Sequence, residues 1–303
     1  MTETIKIGAT KHIGPIYKRL LTDAAFLKER GIIIDMSVSK DGDYDLIECR
    51  LDIETAGPSG DEDTDFAICC HHIAEAVADV ITTWWKPELV RAIMTKKYQS
   101  LSNAEIERIL QKMLRTEKEQ FSCFQSKTGP TWKREISARA SDFLELGNII
   151  TIDGFVNFRL KDYLFELERL VDEAVEDYLL EKEYDDFIDL LRYFVDTQEP
   201  RLDKVHVMFA SSGIFSMYDQ NYKMIDNDFL EGFILDLMDN DLSYEDLLVS
   251  ALITIAPTEI VMHLPGPIEE MSSAVSTIQS VFDERVTICV GCSKCLNFMI
   301  TNS

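Results

Sequence analysis

The chain has 303 residues, which is long enough for two domains or one large domain. Of these residues 46% are hydrophobic and 28% are charged, which allows a core of ordinary size. Its 54 acidic residues outnumber its 30 basic ones and give a net charge of −24. A field of that sign repels nucleic-acid phosphates and anionic lipid headgroups, so it disfavours non-specific binding to either.

Three features bear on the compartment. The N-terminal residues lack the basic start and apolar run of an export signal. The most apolar stretch, residues 247–257, is shorter than the roughly 20 residues of a membrane helix. The seven cysteines are unevenly spread and do not suggest a secreted disulfide framework. We therefore expect a cytoplasmic protein that does not bind a membrane.

Residues 1–85 alternate strand and helix patterns. A strand, a helix, a strand pair and a second helix are predicted at residues 4–9, from 16, at 32–38 and 44–51, and at 66–85. Gly31 lies just past the end of the first helix, and Cys69, Ile73 and Val77 share one face of the second. The pattern predicts a small α/β module.

Residues 86–200 are predicted to be mostly helical. Apolar stripes indicate helices around residues 106–114, 136–144, 160–178 and 184–195, and Pro200 ends the run. Tyr184 and Phe187 are assigned to the buried stripe of the last helix. The pair Asp153-Gly154, flanked by β-branched and aromatic residues, predicts a short β-hairpin at about residues 148–158.

Residues 201–303 return to alternation. Strands are predicted at 204–210, 215–225, 259–264 and 285–290, and helices at 228–238, 244–255 and 268–282. The final strand, helix and strand indicate a βαβ crossover. The expected fold is therefore α+β: a small α/β module (1–85), a helical middle with a hairpin (86–200), and a C-terminal α/β region (201–303) that ends in a cysteine-rich turn.

Two stretches of the middle region carry a family resemblance. Residues 153–163, DGFVNFRLKDY, and 181–200, EKEYDDFIDLLRYFVDTQEP, resemble the YtxC-like family of sporulation proteins. Weaker likeness extends to residues 4–8 and 204–208. The resemblance implies a cytosolic protein of an endospore-forming bacterium that is linked to sporulation. It supplies no catalytic residues to carry over.

The sharpest local motif is Cys289-Val-Gly-Cys292-Ser-Lys-Cys295. Two overlapping C-x-x-C pairs on a turn bring three thiolates within reach of one metal ion, and the spacing also resembles an iron–sulfur cluster run. Zinc and an iron–sulfur cluster are the candidate cofactors. Met299 stands where a fourth cysteine would fall, so a complete site needs Cys49, Cys69, Cys70, Cys123, a histidine or another subunit. The alternative is three reduced thiols without a metal.

Other cysteines and histidines fit a core role better. Neighbouring side chains on a helix diverge by about 100°, so Cys69-Cys70-His71-His72 does not converge on one ion. We expect Cys69 in the core and the two histidines near the helix start. His206 and His263 lie in apolar strand patterns and are interpreted as core histidines.

A basic stretch precedes the acidic helices. Residues 86–139 contain twelve Lys or Arg and six Asp or Glu, a local net of +6, whereas residues 155–200 contain fourteen acidic and five basic residues. Arg108, Lys112 and Arg115 share one helix face, and Arg159 lies among carboxylates. These four are candidate partner-binding residues, although internal pairing with acidic neighbours is the simpler interpretation. Two helices followed by a hairpin also allow a winged-helix nucleic-acid binder.

The function predicted from the sequence is not enzymatic. The chain has no Gly-rich phosphate loop, no G-x-S-x-G elbow and no H-E-x-x-H. We expect a structural or regulatory interaction protein of sporulation with a protein partner. The alternatives are a metal- or iron–sulfur-binding protein through the C-terminal cysteines and, third, the nucleic-acid binder.

Overall fold

The computed structural model describes residues 2–29, 31–53, 62–123, 132–209, 215–225, 244–264, 273–289 and 291–295. It has the predicted α+β class, with two four-stranded sheets and many helices. The chain divides into two compact units, Met1–Tyr178 and Leu179–Ser303. The sequence indicated three regions instead. The helical middle contributes to the first unit because it supplies a strand to that unit's sheet and a helix that packs on its central helix.

The first unit contains four strands and most of the helices. Its strands are β1 (Thr2–Ala9), β2 (Ile32–Asp41), β3 (Tyr44–Ile53) and β4 (Ile149–Thr151). Its helices are α1 (Ile13–Lys28), α2 (Glu62–Val80), α3 (Lys86–Lys97), α4 (Asn103–Cys123), α5 (Trp132–Leu146) and α6 (Ile152–Arg159), with a π-helical turn at Ile81–Trp85. Helix α7 (Lys161–Thr197) begins in this unit and continues into the second.

The first sheet has the order β2-β3-β1-β4. Strands β2 and β3 form a hairpin in which Asp41 pairs with Tyr44, so Gly42 and Asp43 make a two-residue turn. Gly42 has a φ of 59°, which glycine adopts without strain. Helix α2 packs against α1, β3 and α5. Because α2 is covered on several sides, its residues Cys69, Cys70, Ala74 and Val77 are all fully buried.

The predicted hairpin at residues 148–158 is wrong. Residues 149–151 form β4, which pairs in parallel with β1, and helix α6 begins immediately afterwards. The carboxylate of Asp153 accepts hydrogen bonds from the backbone N–H and the hydroxyl of Thr10, at 3.0 and 2.6 Å. Asp153 therefore joins the end of β1 to the first turn of α6 instead of shaping a turn. The winged-helix order depended on this hairpin and is wrong with it.

The two helices predicted at residues 160–178 and 184–195 are one helix, α7, of 37 residues. No glycine or proline interrupts residues 161–197, so nothing in the backbone ends the first helix. The buried residues on this helix are Tyr163, Leu167, Val171 and Val175 in the first unit and Ile188 and Val195 in the second. Tyr184 and Phe187, which were expected to be buried, are 47% and 54% exposed.

Among the residues that the structure describes, one helical run is long and apolar enough to cross a bilayer by length and composition. It covers Thr64–Lys97, that is α2 without its first two residues, the π-helical turn and α3, and its most apolar window has a mean hydropathy of 1.2. Half of that window is buried inside the protein. The core helix of a folded unit meets the same criterion, and the contacts of α2 place it in such a core.

The second unit is built on the second sheet. Its strands are β5 (Lys204–Phe209), β6 (Phe215–Asp219), β7 (Glu259–His263) and β8 (Val286–Ile288), and its helices are the end of α7, α8 (Tyr244–Ile255) and α9 (Ser273–Phe282). The helix predicted at 228–238 lies outside the described residues. The sheet order is β6-β5-β7-β8, with β5, β7 and β8 parallel and β6 antiparallel to β5. The predicted final βαβ unit is confirmed as β7-α9-β8.

Candidate metal centre

The site lies at the ends of two neighbouring strands. Strand β7 ends at His263, and strand β8 ends at Ile288, one residue before Cys289. Because the strands are parallel, their carboxyl ends lie at the same edge of the sheet. The backbone N–H of Cys289 donates to the carbonyl of Met262 at 2.9 Å, which continues the pairing and holds Cys289 beside His263.

A tight turn then brings the other two cysteines back to this edge. Gly291 has a φ of 113°, a backbone conformation that residues with a Cβ rarely adopt. Residues 293–295 form a helical turn, and Cys295 at its end is buried, whereas Cys289 and Cys292 are half-buried. The turn is therefore folded so that all three thiols face the end of β7.

The four side chains form a compact cluster. The ligand atoms of His263, Cys289, Cys292 and Cys295 all lie within 4.8 Å of one another. The Sγ atom of Cys295 is 3.6 Å from that of Cys289 and 3.4 Å from that of Cys292. The Nδ1 atom of His263 is 3.0 Å from Cys295 Sγ and 3.7 Å from Cys292 Sγ. Three sulfurs and one imidazole nitrogen could hold a metal ion.

His263 is oriented from behind by a second histidine. Its Nε2 atom lies 3.1 Å from Nδ1 of His206, which is on the neighbouring strand β5, and both rings are buried. If Nε2 carries the proton and donates to His206, Nδ1 of His263 is left as a lone pair that points at the cysteines. A metal-binding histidine commonly donates its other ring N–H to an acceptor in this way.

The ring of His206 also stacks on the ring of Tyr222. Tyr222 lies on the ring of His206 with centroids 4.4 Å apart and planes within 14°. The ammonium of Lys294, in the cysteine turn itself, lies 4.9 Å from the centre of the Tyr222 ring. The side chain of Lys294 thus connects the turn, through Tyr222, to the histidine that orients His263.

The protonation states of the histidines and cysteines suit metal ligands. Burial, together with the neighbouring His206, lowers the pKa of His263, and burial also lowers the pKa of His206, so both rings are neutral at pH 7. At Cys292, burial raises the pKa, but hydrogen bonds from Cys295 and from the backbone of Lys294 outweigh it and lower the pKa below its ordinary value. Burial raises the pKa of Cys295 to about 11. A cation at the cluster would favour all three thiolates.

The three cysteines that the sequence predicted as ligands are brought together, and the fourth group is a histidine, one of the alternatives left open. The interpretation of His263 and His206 as core histidines was incomplete: both are buried, but they belong to this site. A signal existed in the sequence. The predicted final βαβ unit places residue 263 and residue 289 at the same sheet edge.

The other cysteine–histidine group lies on α2, with its two cysteines in the core of the first unit. Cys69 and Cys70 are fully buried, and burial raises the pKa of each thiol to about 12. His71 is exposed, 3.7 Å from Glu75, and His72 packs against the ring of Phe26. The expected core position of Cys69 is confirmed, whereas the two histidines lie in the middle of α2 and not near its start as predicted.

The basic stretch is largely paired within the first unit. Arg91 donates to Glu107 at 2.6 Å, Lys97 to Asp172 at 2.6 Å, and Arg139 contacts both Glu135 and Asp162. Internal pairing of basic residues is therefore observed.

Three of the residues predicted to bind a partner lie on α4, and the fourth, Arg159, is the last residue of α6. Arg108 and Arg115 are exposed on α4, and Lys112 lines a cavity of about 350 Å³ with Glu173 and Asp177. Arg159 lies over the ring of Phe143 at 5.5 Å, which is a packing contact. A partner-binding role for these four residues stays a prediction.

The fold and the site define an α+β protein with a Cys₃His cluster that could hold a metal ion. The YtxC-like family matches residues 71–287, more than half of the chain, and the chain belongs to that family, as the resemblance predicted. The match includes His206 and His263 and ends before the three cysteines. No solved structure matches the chain.

The chain is also similar to a curated protein, the "Uncharacterized protein YtxC" of Bacillus subtilis (strain 168). The two are 34% identical over 145 residues, which is 46% of this chain and 47% of that protein. The matched part therefore spans about half the length of that relative.

Proposed function

We propose that the second unit holds one Zn²⁺ ion through His263, Cys289, Cys292 and Cys295, and that the protein is a non-enzymatic interaction protein whose C-terminal turn is fixed by that ion. The observation that carries the proposal is the convergence of one histidine and three cysteines, from two strand ends and a turn, within 4.8 Å.

The distances favour a single ion over a cluster. A tetrahedral zinc ion with Zn–S bonds of about 2.3 Å places its sulfurs roughly 3.8 Å apart and its nitrogen roughly 3.5 Å from each sulfur. The cluster has S–S distances of 3.4 and 3.6 Å and N–S distances of 3.0 and 3.7 Å. An iron–sulfur cluster binds its ligands on separate irons, which requires a wider set of thiolates.

The ligand count supports a structural role. A tetrahedral zinc ion bound by four protein side chains has no position left for water or substrate, whereas catalytic zinc sites keep one open. His263 is buried at the end of a core strand, which also suits an ion that stabilises the fold. This is the reason for proposing a binding protein instead of a hydrolase.

Metal analysis of the purified chain tests the proposal. We expect about one equivalent of zinc per chain and no iron absorbance near 400 nm. Cys292→Ser and His263→Ala should each lower the zinc content sharply, because three ligands remain. The matched controls are Ser293→Ala, inside the same turn, and His71→Ala, an exposed histidine of the first unit; both should keep the full equivalent. Less than about half an equivalent in the wild-type chain would falsify the site.

The link to sporulation rests on the family alone. Its test is a spore-forming strain in which the gene is deleted or carries Cys292→Ser. We expect fewer heat-resistant spores in the deletion strain, and rescue by the wild-type gene. An unchanged spore count in the deletion strain would remove the sporulation role but would leave the zinc site standing.

A further inference from the structure

The part of α7 in the second unit carries large apolar side chains on a face that does not pack into the core. Leu180, Tyr184, Phe187, Leu190 and Phe194 are between 47% and 59% exposed. We call these five residues the outer stripe. Apolar patches of this size on a folded protein mark interaction sites more often than single exposed residues do.

The spacing makes these residues one continuous stripe. Leu180, Phe187 and Phe194 repeat every seven residues, and Tyr184 and Leu190 lie between them at spacings of three or four. Residues at these spacings share one side of a helix. The stripe spans 15 residues, from Leu180 to Phe194, which is a rise of about 21 Å at 1.5 Å per residue. That is the length of about four turns of a partner helix.

The adjoining side of the same helix segment packs against its own unit, and Tyr184 lies at the border, with its hydroxyl 3.3 Å from that of Thr277 on α9. Ile188 and Val195 are buried in the core of the second unit. The Nε atom of Arg192 donates to the carbonyl of Ser280, at the end of α9, at 2.6 Å. The helix is thus held in place by one side while the outer stripe is presented on another.

The charges on this helix segment indicate the chemistry of a partner. Residues 179–197 contain six acidic and two basic residues, a net charge of −4. Glu183 and Asp186 are exposed beside the outer stripe. An occupant therefore needs apolar side chains for the stripe and cationic side chains at its edges.

We propose that the outer stripe binds an amphipathic basic helix of a partner protein, about four turns long, with an apolar face flanked by Lys or Arg. A second copy of this chain fits less well because two such helices would bring like charges together, and each whole chain carries −24. The inference deepens the proposed interaction role and does not depend on the zinc ion.

The test uses the full chain and a labelled 15-residue peptide that places Leu on one helix face and Lys elsewhere, followed by fluorescence anisotropy. Two control peptides replace Lys by Glu or shuffle the Leu positions. The test variant is Phe187→Ser with Phe194→Ser. Its matched control is Phe158→Ser with Phe165→Ser, two exposed phenylalanines of the first unit. Zinc content and circular dichroism confirm that each variant is folded.

We expect the Leu/Lys peptide to bind best, and the test variant to lose at least about tenfold in affinity while the control variant does not. Equal binding of the shuffled peptide, or equal loss in both variants, would show charge attraction alone and overturn the proposal. Sedimentation of the wild-type chain as a dimer that the test variant converts to a monomer would assign the stripe to a second copy and overturn it as well. If the peptide does not bind but the zinc content is normal, the helix-binding proposal is wrong and the metal site stands.

Discussion

The cysteines of the two units have different environments. In the first unit, Cys49, Cys69 and Cys70 are fully buried among apolar side chains, and burial raises the pKa of each thiol to about 12. In the second unit, Cys292 is partly exposed, and hydrogen bonds to its sulfur lower its pKa. The first group fills a core as small apolar residues do, and the second belongs to a cluster that could hold a cation.

The position of each cysteine in the fold explains the difference between the two environments. Cys49 is in the middle of β3, and Cys69 and Cys70 are on α2, which is covered by other elements on several sides. Cys289 follows β8 directly, at the edge where parallel strands end. Side chains inside an element are surrounded by packing, whereas those just past parallel strands can converge from several strands on one point. Residue type alone therefore does not identify a metal ligand.

Removal of the proposed zinc ion is expected to have the largest effect on this comparison. A strong zinc chelator should destabilise the second unit by about 4 kcal/mol, if the ion is normally present at a thousand times its dissociation constant. Amide hydrogen exchange in β7 and β8 should then accelerate by roughly a thousandfold, since 1.4 kcal/mol corresponds to a factor of ten.

The first unit supplies an internal control. All three tryptophans, Trp84, Trp85 and Trp132, lie in it, so their fluorescence reports on that unit. We expect their emission, and the exchange of β1 and β3, to stay unchanged on chelation. A loss of protection that is equal in both units would contradict the separation of the two cysteine groups.

Thiol alkylation gives the next largest expected effect. In the metal-free chain at pH 8, Cys292 should react at least a hundred times faster than Cys49, Cys69 or Cys70, because a thiol with a pKa of about 12 is almost entirely protonated and is also buried. As the pH rises, the rate at Cys292 should reach half of its maximum below pH 9, the ordinary pKa of the thiol, because its pKa is lowered.

Mass spectrometry of the alkylated peptides measures these rates separately. Added zinc should protect Cys289, Cys292 and Cys295 and leave the slow rates of the other cysteines unchanged. Fast labelling of Cys69 or Cys70 in the folded chain would instead place them in an accessible site and remove the contrast between the units.

Much of this arrangement follows from local sequence patterns. The strand and helix order of both ends, the final βαβ unit and the three cysteines of the candidate site were predictable because period, turn residues and C-x-x-C spacing are local signals. The hairpin prediction was wrong because Asp153-Gly154 is a pair typical of turns, whereas the Asp153 carboxylate accepts a hydrogen bond from Thr10, which is 143 residues away.

The remaining features depend on contacts between distant parts of the chain. A histidine in an apolar strand pattern looks the same whether it fills a core or ends beside three cysteines, and only the pairing of β7 with β8 and β5 distinguishes these cases. Similarly, the sequence does not show which apolar residues of α7 are buried. Ile188 and Val195 are buried because other elements of the second unit pack against them, and that packing is tertiary.

Substitution of His206 has the smallest of the three expected effects, and it tests the role of a residue behind the metal-binding histidine. His206→Ala should weaken zinc binding by 10- to 100-fold, the usual loss when the acceptor behind a metal-binding histidine is removed. His206→Asn should recover much of the affinity, because the Asn side-chain oxygen can accept the Nε2–H of His263 near the place of the lost ring nitrogen. Competition with a chelating dye measures both constants, and cobalt substitution reports the geometry of the ligands.

The alanine and asparagine variants together separate orientation from simple packing. Alanine removes both ring volume and acceptor, whereas leucine in the same position restores volume without an acceptor. If His206→Leu binds zinc as well as His206→Asn, the ring serves only to fill space under Tyr222, and the hydrogen bond to His263 has no role in positioning the ligand. If asparagine recovers and leucine does not, the site extends beyond its four ligands to the neighbouring strand β5, and the contrast with the inert cysteines of the first unit includes the groups behind the ligands as well as the ligands themselves.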